Sequence, residues 1–285
     1  MESLQQEFDK KGYVVVDDVF SPQEVQTFIE TIDKLGEGKN DKTWTINDGV
    51  VKTEVFWDVI CHPKLLKAAR SILGEDVKFC QHNDLQFGYS SFAWHRDSIN
   101  RQYDPNLPDW QEDKEPYRIA RAGIYLQPEE HNFHFGVVPG SHKPSGFITM
   151  DEFMDDDKYL SIFHNLKSKA GVKDVLKERA DWIKTAPGKV VFFDPRLIHT
   201  GGEFEGEKYS FFIAYGIENQ HFYNHYSYYR YMRYDLKYQP MPAELVSLLK
   251  QNDLYVEEKQ YVKKLKKAFV PNKAMAKLYS LFNND

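Results

Sequence analysis

His95 and Asp97 stand one residue apart in the run Trp94-His95-Arg96-Asp97. On extended backbone, side chains alternate between faces, so the imidazole and the carboxylate point one way while Trp94 and Arg96 point the other. One short segment thereby supplies two metal ligands. The best third ligand is His199, which ends the apolar run from Val190 and is followed by Thr200, Gly201 and Gly202. Two histidines and one carboxylate on one face of a metal leave the opposite face open, a facial triad suited to non-haem Fe(II) oxygen chemistry. The same residues also admit plain structural readings. His95 and Asp97 can be a buried hydrogen-bonded pair, and His199 can simply end a strand.

The elements that must position these groups are legible in order. Residues 2–12 read as a short helix stopped by Gly12, and Tyr13–Val16 as a strand. Ser21, Pro22 and Glu24 form a capping box with proline at the first helical position. Val25, Phe28, Ile29 and Ile32 then follow at helical spacing to Gly36. Pro63–Leu73 reads as a second amphipathic helix, stopped by Gly74. From Val77 the pattern becomes one of short strands: Val77–Phe87, Phe92–Asp97, Arg118–Gln127, Gly188–Pro195 and Lys208–Tyr215. Residues 99–116 are polar with three prolines, a long loop of the kind used as a lid. Phe135–His142 reads as a strand entering a Pro-Gly turn. Residues 151–184 read as a helical insertion, and Pro242–Gln251 and Glu257–Leu281 as helices. Short strands from 77 to 217 with helices before them predict a mainly β jelly roll or sandwich with helices packed outside.

Composition narrows the function. At 285 residues the chain suits one large β-rich domain with helical additions, or two small ones. A net charge of −6 argues against a general nucleic-acid binder. Two cysteines, Cys61 and Cys80, without a CxxC spacing favour a reducing compartment. No apolar run approaches the roughly 20 residues of a membrane span, and the acidic start carries no signal-peptide pattern. The expectation is a cytoplasmic protein.

The order of these pieces resembles the phytanoyl-CoA dioxygenase-like family. Phe8–Val25, the His95/Asp97 pair, the Pro139-Gly140-Ser141-His142 turn and the distal His199 carry the resemblance, over roughly residues 5–230. It implies a double-stranded β-helix, cupin-like, at about 77–217, supported by residues 1–76 and extended by helices at 218–285, all in one domain. It implies Fe(II) held by His95, Asp97 and His199, with 2-oxoglutarate as co-substrate. In many such enzymes an Arg-x-Ser pair after the distal histidine binds the far carboxylate of 2-oxoglutarate. Here the matching residues are Lys208 and Ser210, which share a strand face. Lysine offers a point charge where arginine offers a fork. Arg121, on the face of Gly123, Tyr125 and Gln127, is the alternative anchor.

Tyr125, Gln127 and Arg118 are the candidate substrate contacts, and Arg96, Arg118 and Arg121 suggest an anionic small molecule. The expected reaction is O2-dependent oxidation of an unactivated C–H bond coupled to formation of succinate. Hydroxylation leads, and desaturation or ring closure stay open. Asp97 stands where a halogenase would carry glycine or alanine, so halogenation is disfavoured. His142 reads as a structural turn residue, and His131, His134, His221 and His225 as surface residues. Tyr223–Tyr234 reads as a packed tail able to close one end of the site. Two other classes stay open: a non-catalytic metal-binding β-helix protein, and a cupin-type metalloenzyme that does not use 2-oxoglutarate.

Overall fold

The structure is a computed structural model describing residues 2–39, 41–101, 103–128, 130–143 and 176–257. Helix α1 (Leu4–Lys11) ends at Gly12, whose φ of 84° lies in the left-handed region. Strand β1 (Tyr13–Val16) follows, then α2 (Pro22–Gly36). The predicted capping box is present: Glu24 N–H donates to Ser21 Oγ at 3.3 Å, and Ser21 N–H donates to Glu24 Oε2 at 2.8 Å. Strand β2 (Trp44–Asn47), the short helices α3 (Gly49–Lys52) and α4 (Trp57–Ile60), and α5 (Pro63–Leu73) complete the N-terminal part. The remaining strands are β3 (Val77–Phe87), β4 (Ile119–Tyr125), β5 (His134–Val137), β6 (Asp181–Lys184), β7 (Val190–Phe193), β8 (His199–Gly201) and β9 (Tyr209–Ile217). Helices α6 (Gln220–Ser227) and α7 (Ala243–Gln251) follow.

Two antiparallel sheets face each other. The larger runs β1-β7-β4-β9-β3-β2, the smaller β6-β5-β8. Side-chain alternation assigns each strand of the larger sheet two faces. Ala120, Ala122, Ile124, Val190, Phe192, Phe211 and Ile213 pack outward with residues of α2 and α5. Tyr125, Val191, Phe193 and Phe212 pack inward against Phe135 and Val137 of β5. Burial on both faces explains why β4, β7 and β9 read as nearly continuous apolar runs. The expected jelly roll with flanking helices is the architecture observed, as an open rather than closed sheet.

Some local expectations need correction. The main sheet draws its edge strands β1 and β2 from before residue 77, because β1 pairs with β7 and β2 with β3. Phe92–Asp97 is extended but not a strand, since its only ladder contact is a single bridge between His95 and His199. The end of the expected helical insertion, Asp181–Lys184, is strand β6 on β5, while residues 151–175 of it lie outside the described residues. The expected helix Glu257–Leu281 also lies outside them, apart from Glu257 itself. The loop at 99–116 is packed down rather than free. Asn100 and Asp109 exchange backbone-to-side-chain bonds of 3.0 and 3.2 Å, and Trp110 is buried. Among the described residues, no helix is long and apolar enough to cross a membrane.

Gly12 links the N-terminus to the Pro-Gly-Ser-His turn. A Cβ there would lie 2.5 Å from His142 Nδ1, and His142 Nε2 sits 3.3 Å from the Asp9 carbonyl. Gly12→Ala therefore combines left-handed backbone strain with a displaced buried imidazole. We expect a loss of about 2 kcal/mol, or roughly 4–8 °C in thermal midpoint. Ser21→Ala, which removes one cap, should cost only about 1 kcal/mol. Thermal melts of both variants check the order of the effects.

Candidate active site

The three predicted ligands converge. One ligand atom each from His95, Asp97 and His199 lies within 4.8 Å of the others. His95 Nε2 is 3.7 Å from Asp97 Oδ1, and His199 Nε2 is 3.5 Å from Asp97 Oδ2. The opposite ring nitrogens face backbone carbonyls: His95 Nδ1 lies 2.7 Å from Ala93 O and His199 Nδ1 2.9 Å from Leu197 O. A carbonyl accepts only from N–H, so each Nδ1 carries the proton and each Nε2 keeps its lone pair toward the cluster. Burial pushes His95 down to about 4, with the neighbouring His199 adding to the shift, so the ring is neutral near pH 7. The donor set, geometry and tautomers all fit a metal of the facial-triad kind.

The bridge at His95 is what brings the two arms together. His95 and His199 exchange backbone N–H···O bonds of 2.9 Å each, while β8 is itself paired with β5. The Pro139–His142 turn braces both arms. Ile198 N–H donates to Ser141 Oγ at 2.8 Å, and Arg96 donates to Ser141 O at 2.9 Å.

A buried polar chain runs from Asp97 across the inner face of the larger sheet. Arg121 Nη1 donates to Asp97 Oδ2, and Arg121 Nη2 pairs with Asp84 Oδ1 at 2.7 Å. Asp84 Oδ2 accepts from Gln86 at 2.6 Å, and Gln86 Oε1 accepts from Ser210 Oγ at 3.4 Å. Ser210 Oγ in turn accepts from Lys208 Nζ at 2.9 Å. Strand register builds the chain, because Gln86, Ser210 and Tyr125 occupy one row across β3, β9 and β4. Burial opposes the charge on Asp97, but the Arg121 guanidinium outweighs it and holds the carboxyl well below its usual range. Burial dominates at Asp84 and raises it.

The pocket beside this chain opens to solvent and spans about 410 Å³ with its open mouth included. Phe133, Phe135 and Phe212 form apolar walls around His95, Asp97 and His199. Gly123 makes room for them, since a Cβ there would press on Phe212 at 3.0 Å and Tyr125 at 3.2 Å. Lys208 lies in the same wall, 2 % exposed. Its ammonium donates to Tyr89 O at 2.8 Å and sits 4.6 Å from the Phe133 ring centroid. It has no carboxylate partner among the described residues, and burial pushes it down to about 7.

The other predicted residues sort by position. Tyr125 lines the pocket, and Ser210 lies directly behind Lys208. Arg121 reaches the wall, but two carboxylates already share its charge. Gln127 is buried away from the pocket wall and donates to Thr185 Oγ1 at 3.1 Å. Arg118 also lies off the wall, paired with Asp9 at 2.6 Å. Arg96 is buried, donating to the carbonyls of Arg196, Arg101 and Ser141. The arginines that suggested an anionic substrate are thus each engaged elsewhere. His221 and His225, expected at the surface, are buried on α6, where His221 meets the Glu115 carbonyl and His225 meets His82. Sequence reasoning missed Asp84 and Gln86. Their signal was the polar run Gln81–Asp84 followed by Gln86, inside a strand with apolar ends.

The family match identifies an Fe(II)- and 2-oxoglutarate-dependent dioxygenase. The chain belongs to the phytanoyl-CoA dioxygenase (PhyH) family, whose sequence profile matches residues 8–209. It is similar to the ectoine dioxygenase of Sphingopyxis alaskensis, 25% identical over 215 residues covering 67% of each chain. The ectoine dioxygenase of Stutzerimonas stutzeri is 26% identical over 223 residues, covering 69% of each. Among solved structures, HygX from Streptomyces hygroscopicus with nickel and 2-oxoglutarate bound shares the fold. Its TM-score is 0.54 at 18% identity, over 74% of this chain and 84% of that one. The non-haem α-ketoglutarate-dependent carbocyclase SnoK from nogalamycin biosynthesis gives 0.53 at 16% identity, over 76% and 83%. Family membership answers both alternatives left open above: the protein is an enzyme, and its cofactors are iron and 2-oxoglutarate.

Removing Arg121 leaves Asp84 and Asp97 buried without their shared cation. Arg121→Met should therefore destabilise the metal-free protein by about 3–5 kcal/mol, read from its urea midpoint. A loss below about 1 kcal/mol would refute the role of the ion triad in the metal-free fold.

Proposed function

We propose that His95, Asp97 and His199 hold the iron, and that Lys208 and Ser210 hold the far carboxylate of 2-oxoglutarate. On this reading the enzyme hydroxylates an unactivated C–H bond of a small molecule with O2, forming succinate and CO2. The observation that carries the reading is a buried ammonium without an anionic partner, in the same wall as two imidazoles and a carboxylate. A buried charge calls for a counter-ion, and a carboxylate of the co-substrate supplies one. When bound, iron and 2-oxoglutarate together supply O2 activation. The chain's own residues do the rest. His95 and His199 present unprotonated Nε2 atoms, Arg121 keeps Asp97 ionised, and Phe133, Phe135 and Phe212 keep the pocket dry.

The same charges bear on the substrate. The positive charges of a divalent metal, Lys208 and Arg121 are then matched by Asp84, Asp97 and the co-substrate dianion. We infer a substrate without net negative charge, in place of the anionic one expected from the arginines. Ectoine heads the screen, because similar proteins are named for acting on it.

Anaerobic addition of Fe(II) and 2-oxoglutarate should produce the visible charge-transfer band of the chelate, absent in His95→Ala. A folded, iron-binding protein without that band would end the chelate assignment. Lys208 gives a second test. Between about pH 7 and the higher value Lys208 takes beside a bound carboxylate, binding must take up a proton, so 2-oxoglutarate affinity falls as pH rises. We expect binding at least roughly tenfold weaker at about pH 8.5 than at about pH 6.5. Lys208→Arg should flatten the profile, since a guanidinium stays charged throughout. A native profile steep in the same way in both proteins would exclude Lys208 as the anchor.

A further inference from the structure

Asp97 lies outside any β-ladder, so its backbone is held by separate contacts. Its N–H donates to Pro195 O at 2.7 Å. Its carbonyl accepts from the Tyr229 hydroxyl at 2.7 Å, and the structure shows no backbone donor to it among the described residues. Tyr229 comes from far along the chain, in the π-helical turn Tyr228–Met232 that continues α6. Single π turns recur at functional sites because the extra residue redirects a side chain. Here the turn places a buried phenol behind the triad.

The ring of Tyr229 is clamped. It stacks on His82 with centroids 3.4 Å apart and planes at 15°, and meets Tyr228 edge-on at 5.1 Å. His82 is fixed in turn by His225, with Nδ1 and Nε2 2.9 Å apart. His82 sits where the pairing of β3 with β9 shifts register between Cys80 and Asp84. The same irregular stretch of β3 therefore carries the residue that seats Tyr229 and the carboxylate that shares Arg121. Tyr229 grips Asp97 at its carbonyl while Arg121 grips its Oδ2, which fixes both ends of the side chain's reach.

We propose that Tyr229 is a positioning residue for Asp97, so that the segment after the family's matched stretch, which ends at residue 209, completes the metal centre. The inference rests on Asp97 being an iron ligand. Partners that orient ligands typically contribute about 10–100-fold in metal affinity.

The test compares Fe(II) affinity, measured anaerobically by equilibrium competition, and thermal midpoint in full-length variants. Tyr229→Phe removes the donor and keeps the ring, and should weaken Fe(II) about tenfold in folded protein. Tyr238→Phe serves as the control. Its hydroxyl ties the same segment to Asn83 through bonds of 3.1 and 3.2 Å without touching Asp97. It should lower the thermal midpoint and keep native Fe(II) affinity. Native affinity in Tyr229→Phe, or an equal loss in Tyr238→Phe, overturns the proposal. Asp97→Ala separates the two readings: loss of iron there with native affinity in Tyr229→Phe overturns only this inference, whereas native affinity in both overturns the ligand set.

Discussion

A guanidinium buried between two carboxylates sets the terms for the rest of the site. Arg121 projects from the inner face of β4 and bonds Asp97 on one side and Asp84 on the other. Taking three charges out of water costs several kcal/mol per ion, so such a triad is poor stabilisation by itself. Its effect is geometric and electrostatic. It keeps Asp97 ionised where burial alone would protonate it, and it aims one carboxylate oxygen. An apolar residue at 121 would pack as well but would leave the ligand free to protonate and turn.

That arrangement depends on a sheet covered on both sides. The outward face of β4, β7 and β9 is sealed by α2 and α5, and the inward face packs against β5 around the pocket. Low dielectric strengthens every bond in the chain from Asp97 through Gln86 to Lys208. It also lowers Lys208 to about 7, against the opposing pull of the Asp84 carboxylate. One line of hydrogen bonds across neighbouring strands therefore links Asp97, beside the two histidines, to Lys208.

The His95, Asp97 and His199 cluster has a further dependence on long-range contacts. His95 and His199 are joined by a single bridge, the Ser141 hydroxyl ties the second arm, and Tyr229 reaches Asp97 from behind. None of these is an extended ladder. Small side-chain bonds replace the repeated backbone pairing that would otherwise fix the register.

Much of the frame was legible in residue order alone. Gly12, the Ser21–Glu24 box and Gly74 mark helix ends through local backbone chemistry, and alternation over Val77–Phe87 marks β3 to the residue. The spacing of His95 and Asp97, with the distal His199, indicated a cluster because alternation is a local rule. Periodicity does not report partners, so Asp181–Lys184 was misread as helix and Phe92–Asp97 as strand. Nor does it report what a charge faces. Arg96, Arg118 and Arg121 look alike in sequence, yet one braces a turn, one pairs with Asp9 away from the pocket and one bonds Asp97. The sequence by itself determined most of the elements and the family, since these depend on neighbours along the chain. Only the tertiary structure decided that Arg121 is shared, that Lys208 lacks a counter-ion and that Tyr229 stands behind Asp97. Those facts depend on strand register and burial, which bring together residues far apart in the chain.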